Sequence, residues 1–408
     1  MKRAGAAHLV AMLFVVTLTF GLGVAQKTPC MRRGWIEDKT GVSFLCDTDI
    51  PHLFSWEQLS GGRLPYIDPC APSPVPARQC DEYPAGTMYL MRAIASGTGE
   101  GGDPYWRFSW GATLILYLCA IWITWSLERM SARTVLFAAA PVLLTAGTLN
   151  WDLAPVALAT AGTLAFLQGR DTRAGSLLGV GAVIKLYPGL LAIPFALDRY
   201  LSGARDRIRL IALTGGIWVA MNLPLAILGF AGWARFFRYN SRRPPDFDSL
   251  WEVLCHLHLC PPTSIVNLAS AVFAVAGTWW AWRAARRHAD AALPVWMLAF
   301  PMLVMILLTG KVWSSQYSLW ILPWFAVTSV PWFLFVEYQL AEVAEYFVRY
   351  HYFGTVISGH GLSYRVLGAI VLIRALLLLR CLVSWVRHPE PVITPAAAPA
   401  ATGSASLP

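Results

Sequence analysis

Acidic and aromatic side chains are concentrated in one polar stretch, which reads FLCDTDIPHLFSWEQLSGGRLPYID from residue 44 and CDEYPAG from residue 80. Asp49 is followed by a proline and by the amphipathic segment 52–59, which can lie flat at a membrane surface. Its carboxylate would then lie beside lipid head groups, where it could take a proton from an acceptor hydroxyl. Asp49 is therefore the predicted general base.

Other residues of the same stretch are alternatives or partners in that chemistry. Asp47, Asp68 and Glu82 are rival bases, because closeness in sequence does not say which carboxylate faces the acceptor. Asp68, Glu82 and Tyr83 are also predicted substrate contacts. For any one of these acids, ordinary solvated surface charge is the competing interpretation.

A second group of polar residues lies at the predicted ends of apolar segments, where cations could hold a phosphate at the outer leaflet. For the lysines, an anchor that reaches towards the membrane surface is the alternative. The sequence contexts are NWD at 150–152, KLYP at 185–188, the second polar loop, and KVWSSQYSLW from residue 311. The predicted substrate contacts in them are Asp152, Lys185, Tyr187, Arg242, Lys311, Gln316 and Tyr317.

The elements that must position these residues are membrane helices. The chain of 408 residues is 56% hydrophobic and only 13% charged, whereas soluble domains carry about 25% charged residues. Apolar runs of about 20 residues predict about twelve crossings, in an all-α integral membrane protein. The two short apolar halves on either side of Lys185 could instead form one broken or re-entrant element.

Basic residues in short loops predict the orientation, because they are retained on the cytoplasmic side. The clusters at 129–133, 170–173 and 283–287 place both termini in the cytoplasm. The long external loops are then about 26–105 and 231–263, within a membrane domain covering 1–388. Residues 389–408, rich in Pro and Ala, are predicted to be a disordered cytoplasmic tail. The net charge of +9 reflects this topology, so nucleic acid is not a predicted partner.

The start of the chain has two interpretations. Its apolar run is long enough to span the membrane as the first crossing. A basic start and the small residues Gly23-Val24-Ala25 would also suit a cleavable signal peptide.

The cysteines indicate an oxidising exterior. Six of the eight lie in the two predicted external loops, and close sequence pairs suggest the disulfides Cys30–Cys46, Cys70–Cys80 and Cys255–Cys260. Four cysteines in the first loop allow three pairings, and a zinc site at C-H-x-H-x-C in the second loop is the alternative there. The remaining two cysteines lie within predicted spans and are expected to be inert.

Buried charges are expected near the end of the chain. Glu342 and Glu345 fall in one predicted span and Arg374 in the next. Intramembrane charges face partners or a cavity, and a structural ion pair is the favoured interpretation here.

Several sequence blocks resemble glycosyltransferase family 87, whose members belong to the GT-C class of membrane enzymes. The blocks, in order, are DIPHLF, RLPYID, DEYP, NWDLAPVALA, GVGAVIKLYPGLL and GKVWSSQYSLWILP. The resemblance implies a GT-C-like helical bundle with a long first external loop. It also implies a polyprenyl-phosphate sugar donor, usually a mannose donor, no metal cofactor, and an essential aspartate that maps to Asp49. The segment PCAPSPVPARQCD makes the first loop longer than the family pattern.

The predicted function is an inverting membrane hexosyltransferase, with mannose as the expected sugar. It would move the sugar from a polyprenyl-phosphate donor to a lipid or glycan acceptor on the outer face. No cofactor is predicted, and the predicted partners are the donor, the acceptor and membrane lipids. A polytopic lipid or glycan transporter or flippase is the alternative, although neither repeated halves nor a midplane site is visible in the sequence. A structural subunit of an envelope complex is a third possibility.

Overall fold

A computed structural model describes residues 4–31, 40–72, 80–98, 103–203, 208–289 and 292–393. All regular secondary structure in these ranges is helical. The α-helices are α1 (Ala4–Lys27), α2 (Thr40–Phe44), α3 (Asp49–Trp56), α4 (Ala85–Ser96), α5 (Pro104–Glu128), α6 (Val135–Ala138), α7 (Pro141–Ala146), α8 (Leu153–Leu167), α9 (Asp171–Ile184), α10 (Tyr187–Leu201), α11 (Arg209–Leu228), α12 (Phe230–Arg242), α13 (Leu250–His256), α14 (Thr263–His288), α15 (Ala299–Thr309), α16 (Ser318–Val327), α17 (Trp332–Ser358) and α18 (Tyr364–Arg387).

Five helical segments among the described residues are long and apolar enough to cross a membrane: α1 with its 3₁₀ extension, α5, α11, α14 and α18. Their length fits the thickness of a bilayer, since a spanning helix needs about 20 residues. Most side chains in the apolar windows of α11 and α14 face outwards, as is expected of helices that contact lipid. The protein is therefore an integral membrane protein, and it is all-helical in the part of the chain that the structure describes.

Two of the predicted segments are interrupted. The apolar run 134–149 is divided into the short helices α6 and α7, separated by Ala139 and Ala140, because Pro141 begins a new helix. The run around Lys185 is also broken: α9 ends at Ile184, Lys185 is extended, and α10 begins at Tyr187. The predicted break at Lys185 is present, and it places the lysine outside both helices.

Small residues let the helices approach closely. A Cβ at Gly23 of α1 would lie 2.4 Å from the carbonyl oxygen of Leu144 in α7. Where α9 crosses α11, a Cβ at Gly175 would lie 2.6 Å from the Leu210 oxygen. Close backbone approach of this kind is how membrane helices gain packing contacts.

The chain returns to the core after α18. The Val392 N–H donates to the Val327 carbonyl at 2.9 Å, and Ile393 packs against the core. The first residues of the predicted tail, 389–393, are therefore ordered. The remaining tail residues, 394–408, lie outside the described residues.

The three predicted disulfides are present. The Cα atoms are 5.7 Å apart in Cys30–Cys46, 6.0 Å in Cys70–Cys80 and 4.0 Å in Cys255–Cys260. The zinc alternative for the second loop is wrong, because both cysteine sulfurs are bonded to each other. Cys119 and Cys381 are free thiols within helices, as expected.

A buried ion pair supports the Cys70–Cys80 segment. Arg63 donates to both oxygens of Asp81, at 2.8 and 3.3 Å, and the Glu57 carboxylate accepts the Asp81 N–H at 2.6 Å. Burial raises the pKa of Glu57 to about 8. The middle of the first loop therefore has its own polar core.

Helix α12 docks onto this loop. Arg235 donates to Cys70 Sγ at 2.7 Å and to the Cys80 carbonyl at 3.1 Å. A Cβ at Gly232 would lie 2.5 Å from the Tyr66 oxygen, so only glycine allows this approach without displacement. The two predicted external loops thus contact each other directly.

Candidate active site

Asp49 is the first residue of α3. The side chain of Thr48 caps this helix, and the Thr48 hydroxyl also donates to the Thr148 carbonyl at 2.7 Å. The Asp49 N–H donates to the Leu149 carbonyl at 2.9 Å. These bonds fix the start of α3 against the turn that precedes α8, and they leave the Asp49 side chain half-buried.

One amide connects Asp49 to a tyrosine. Asn150 Nδ2 donates to Asp49 Oδ2 at 2.7 Å and to the Tyr83 hydroxyl oxygen at 2.8 Å. Burial, reinforced by the negative charge of Asp49, raises the pKa of Tyr83 well above its usual value. Tyr83 therefore remains a neutral phenol, and the amide orients one carboxylate oxygen of Asp49.

Asp47 lies behind Asp49 and is inaccessible. It is buried, and its Oδ2 accepts a hydrogen bond from the Tyr350 hydroxyl at 2.7 Å. Burial and the nearby charge of Asp49 raise the pKa of Asp47 to about 7. Access therefore separates the two carboxylates, because only Asp49 is partly open to a substrate.

Lys185 meets Asp152 beside a wall of aromatic rings. Lys185 Nζ and Trp320 Nε1 both donate to Asp152 Oδ1 at 2.6 Å. Tyr187 and Tyr317 both stack on Trp320, with ring centroids 4.5 and 4.3 Å from it. The ammonium of Lys185 also lies 4.4 Å from the Tyr317 ring. An ion pair inside the protein therefore holds this lysine.

The cluster around Asp49 and the cluster around Lys185 belong to one site. Lys185 lies within electrostatic range of Asp49, and Tyr83 within range of both Asp49 and Tyr317. The structure thus brings together six of the predicted residues from four separate parts of the chain: Asp49, Tyr83, Asp152, Lys185, Tyr187 and Tyr317.

Two further cations border the site, Arg243 in the second loop and Lys311 in the segment before α16. Arg243 pairs with Asp246 at 2.8 Å, and Lys311 Nζ donates to the Arg243 carbonyl at 2.9 Å. Arg243 also lies within electrostatic range of Tyr317, whereas Arg242 is exposed. Burial and the charge of Arg243 lower the pKa of Lys311 to about 8. Positive charge therefore borders the aromatic wall on the second-loop side.

The other predicted contacts have different surroundings. Asp68 Oδ2 accepts the Leu64 N–H at 2.7 Å and closes a local turn. Glu82 is half-buried and lies within electrostatic range of Glu57. Gln316 is buried in the short 3₁₀ helix Ser315–Tyr317 that precedes α16.

Two residues of this arrangement were missed as site residues by sequence reasoning. Asn150 belonged to a recognised polar turn, but only the fold shows that its amide joins Asp49 to Tyr83. Arg243 adjoins the predicted Arg242 just after the end of α12, and it is the one of the two that lies within electrostatic range of Tyr317. No periodicity in the sequence marks either one.

The fold and the site together define a class of protein. It is an integral membrane protein of apolar helices, and its polar site is built from the segments that connect these helices. The model of glycosyltransferase family 87 matches residues 102–310, just over half of the chain. The chain belongs to glycosyltransferase family 87, as its sequence blocks predicted, and it is a glycosyltransferase.

The match covers one part of the site directly. Asn150, Asp152, Lys185 and Arg243 lie within the matched residues, whereas Asp49 precedes them. Comparison with curated proteins gives no match.

Proposed function

We propose that this protein transfers a hexosyl group, with mannose as the expected sugar, from a polyprenyl-phosphate donor to a lipid or glycan acceptor. The transfer takes place on the outer face of a cell membrane that the chain crosses about twelve times, as expected from its basic short loops. The observation that carries the proposal is the half-buried Asp49 carboxylate, oriented by Asn150 and facing a region bordered by cations.

The reaction is a single displacement with inversion. The acceptor oxygen attacks the anomeric carbon while Asp49 takes the hydroxyl proton. The bond between that carbon and the phosphate oxygen breaks, and its electron pair leaves with the polyprenyl phosphate. Lys311, Arg242 and Arg243 are the candidate cations for the leaving phosphate, since charge-assisted bonds to phosphate are strong.

Unsatisfied polar atoms offer places for sugar hydroxyls. Asp152 Oδ2 and the Tyr187 hydroxyl are buried without a hydrogen-bond partner among the described residues. Such groups are costly to leave unpaired. Both lie beside Trp320. In a substrate complex, hydroxyl groups of the hexose would supply the missing hydrogen bonds to these two atoms.

An apolar crevice suits the hydrocarbon part of the donor. It lies between the first loop, the end of α9, α11 and α12. Trp218, Trp233, Phe236 and Phe237 line it, together with Leu186, the residue that follows Lys185. A polyprenyl chain in this crevice would bring its phosphate to the polar cluster.

The decisive experiment uses membranes that contain the protein, radiolabelled polyprenyl-phosphate mannose and extracted lipids. Transfer of label to lipid or glycan by the wild type, lost in Asp49→Asn, is the expected result. If the wild type forms no labelled product while labelled lipid still crosses the bilayer, the transporter alternative replaces the enzyme.

A further inference from the structure

Two loop segments that carry site residues are bonded to each other. Segment 243–249 contains Arg243, and segment 310–317 contains Lys311 and Tyr317. The Asp246 N–H donates to the Lys311 carbonyl at 2.8 Å, and Lys311 Nζ donates back to the Arg243 carbonyl at 2.9 Å. Two hydrogen bonds therefore hold Arg243 of the second loop and Lys311 of the segment before α16 against each other.

One buried side chain joins both segments to the helices behind them. Arg374 of α18 donates through Nη2 to the Asp248 carbonyl and to the Trp313 carbonyl, each at 2.5 Å. Its guanidinium also lies 4.0 Å from the centre of the Trp313 ring. Arg374 is fully buried, so it contacts the two segments from the protein interior.

Two carboxylates hold this guanidinium in place. Arg374 Nη1 lies 3.4 Å from Glu342 Oε2 and 3.3 Å from Glu345 Oε2, and both glutamates are on α17. Glu345 Oε2 also accepts the Ser315 hydroxyl at 2.6 Å, which adds a second bond to segment 310–317. The ion pair expected from the sequence is therefore present, and it extends into hydrogen bonds with both loops.

We infer that Arg374 is a positioning residue of the transferase, one that fixes the phosphate-binding cations through the backbones of the two segments. This inference rests on the proposed function. Arg374 is too deeply buried to meet the substrate, so it acts on Lys311 and Arg243 only through the carbonyls it holds. A planar guanidinium can bond two carbonyls and two carboxylates at once, which the compact ammonium of a lysine cannot do with the same geometry.

The test compares Arg374→Lys with a matched variant of the same helix, Arg380→Met. Arg380 is largely exposed and pairs with Glu337 at 2.6 Å, away from both loops. In Arg374→Lys we expect the donor KM to rise about tenfold and the acceptor KM to stay unchanged. Adding Lys311→Ala should then weaken donor binding little further, because the lysine is already misplaced. Arg380→Met should behave like the wild type.

A second measurement needs no substrate. Amide hydrogen exchange should accelerate in segments 243–249 and 310–317 together in Arg374→Lys. If that variant does not accumulate, Ser315→Ala removes one loop bond alone and should raise the donor KM several-fold.

The inference is overturned if Arg374→Lys leaves amide exchange unchanged in both segments, or if it raises the KM for donor and acceptor equally. It is also overturned if the effects of Arg374→Lys and Lys311→Ala on the donor KM are fully additive. A wild type without transferase activity would refute the proposed function, while the exchange result would still decide the role of Arg374.

Discussion

Replacing Asp49 with asparagine removes one negative charge and keeps the size of the side chain. The Asn150 amide can still donate to the remaining carbonyl oxygen, so the start of α3 should keep its place. A general base contributes about 10²–10⁴-fold to a rate, and kcat in Asp49→Asn should fall by about that factor. Because neighbouring Asp47 is repelled by the Asp49 charge, the variant should fold as stably as the wild type.

The hydrogen bond from Asn150 to Asp49 gives an independent estimate of how much activity a variant at this site should lose. A hydrogen bond to a charged group contributes about 1.5–3 kcal/mol, which corresponds to roughly 10- to 150-fold in an equilibrium. In Asn150→Ala we expect a loss of kcat/KM within that range. The acidic limb of its pH–rate profile should also move to higher pH, because the amide favours the charged carboxylate.

The assay is transfer of labelled mannose at saturating donor, in membranes with matched protein levels. Glu252→Gln is the control, a carboxylate of the second loop that pairs with His256. The choice of base is refuted if Asp49→Asn keeps near-full activity while Asp68→Asn or Glu82→Gln loses it. In that case the enzyme assignment stands and the catalytic carboxylate changes.

Three further predictions concern charge, stability and topology. Because Lys311 has a pKa of about 8, its ammonium is lost as pH rises through that value, so the donor KM should increase between pH 7 and 9. Lys311→Arg should abolish this increase, and Lys311→Ala should raise the donor KM about tenfold at pH 7. Asp81→Asn breaks a buried pair with Arg63 and should lower the free energy of unfolding by about 3–5 kcal/mol, measured by thermal melting. A reporter fused after His388 should be active only in the cytoplasm, and periplasmic activity would contradict the predicted orientation.

Long apolar runs predicted the helical membrane fold, because a bilayer imposes a length and a composition on each spanning helix. The sequence predicted α8 from the run beginning at Leu153, and the helix begins there. It did not predict the division of 134–149, where Pro141 overrides hydropathy.

The site was predictable by residue type and not by geometry. Lys185 and Asp152 were both singled out, but their separation of 33 positions in the sequence hides the ion pair that they form. Asn150 belongs to the site because its amide bonds Asp49, and Arg243 because α12 ends just before it. Neither feature leaves a pattern in the sequence. Tertiary contacts of this kind become visible only when the segments are placed together.

The contact between Arg235 and the Cys70–Cys80 segment has a consequence for biogenesis. With both loops on the outer face, as proposed, the first loop is translocated well before α12 has been synthesised. At 5–20 residues per second, the ribosome needs roughly 10–30 s to pass from Cys80 to Arg235. During that interval a thiol oxidant can form the Cys70–Cys80 disulfide on an exposed loop, and α12 then packs against the loop with its disulfide already formed. Cells with impaired extracytoplasmic thiol oxidation should therefore hold normal amounts of this chain in their membranes but little of its activity.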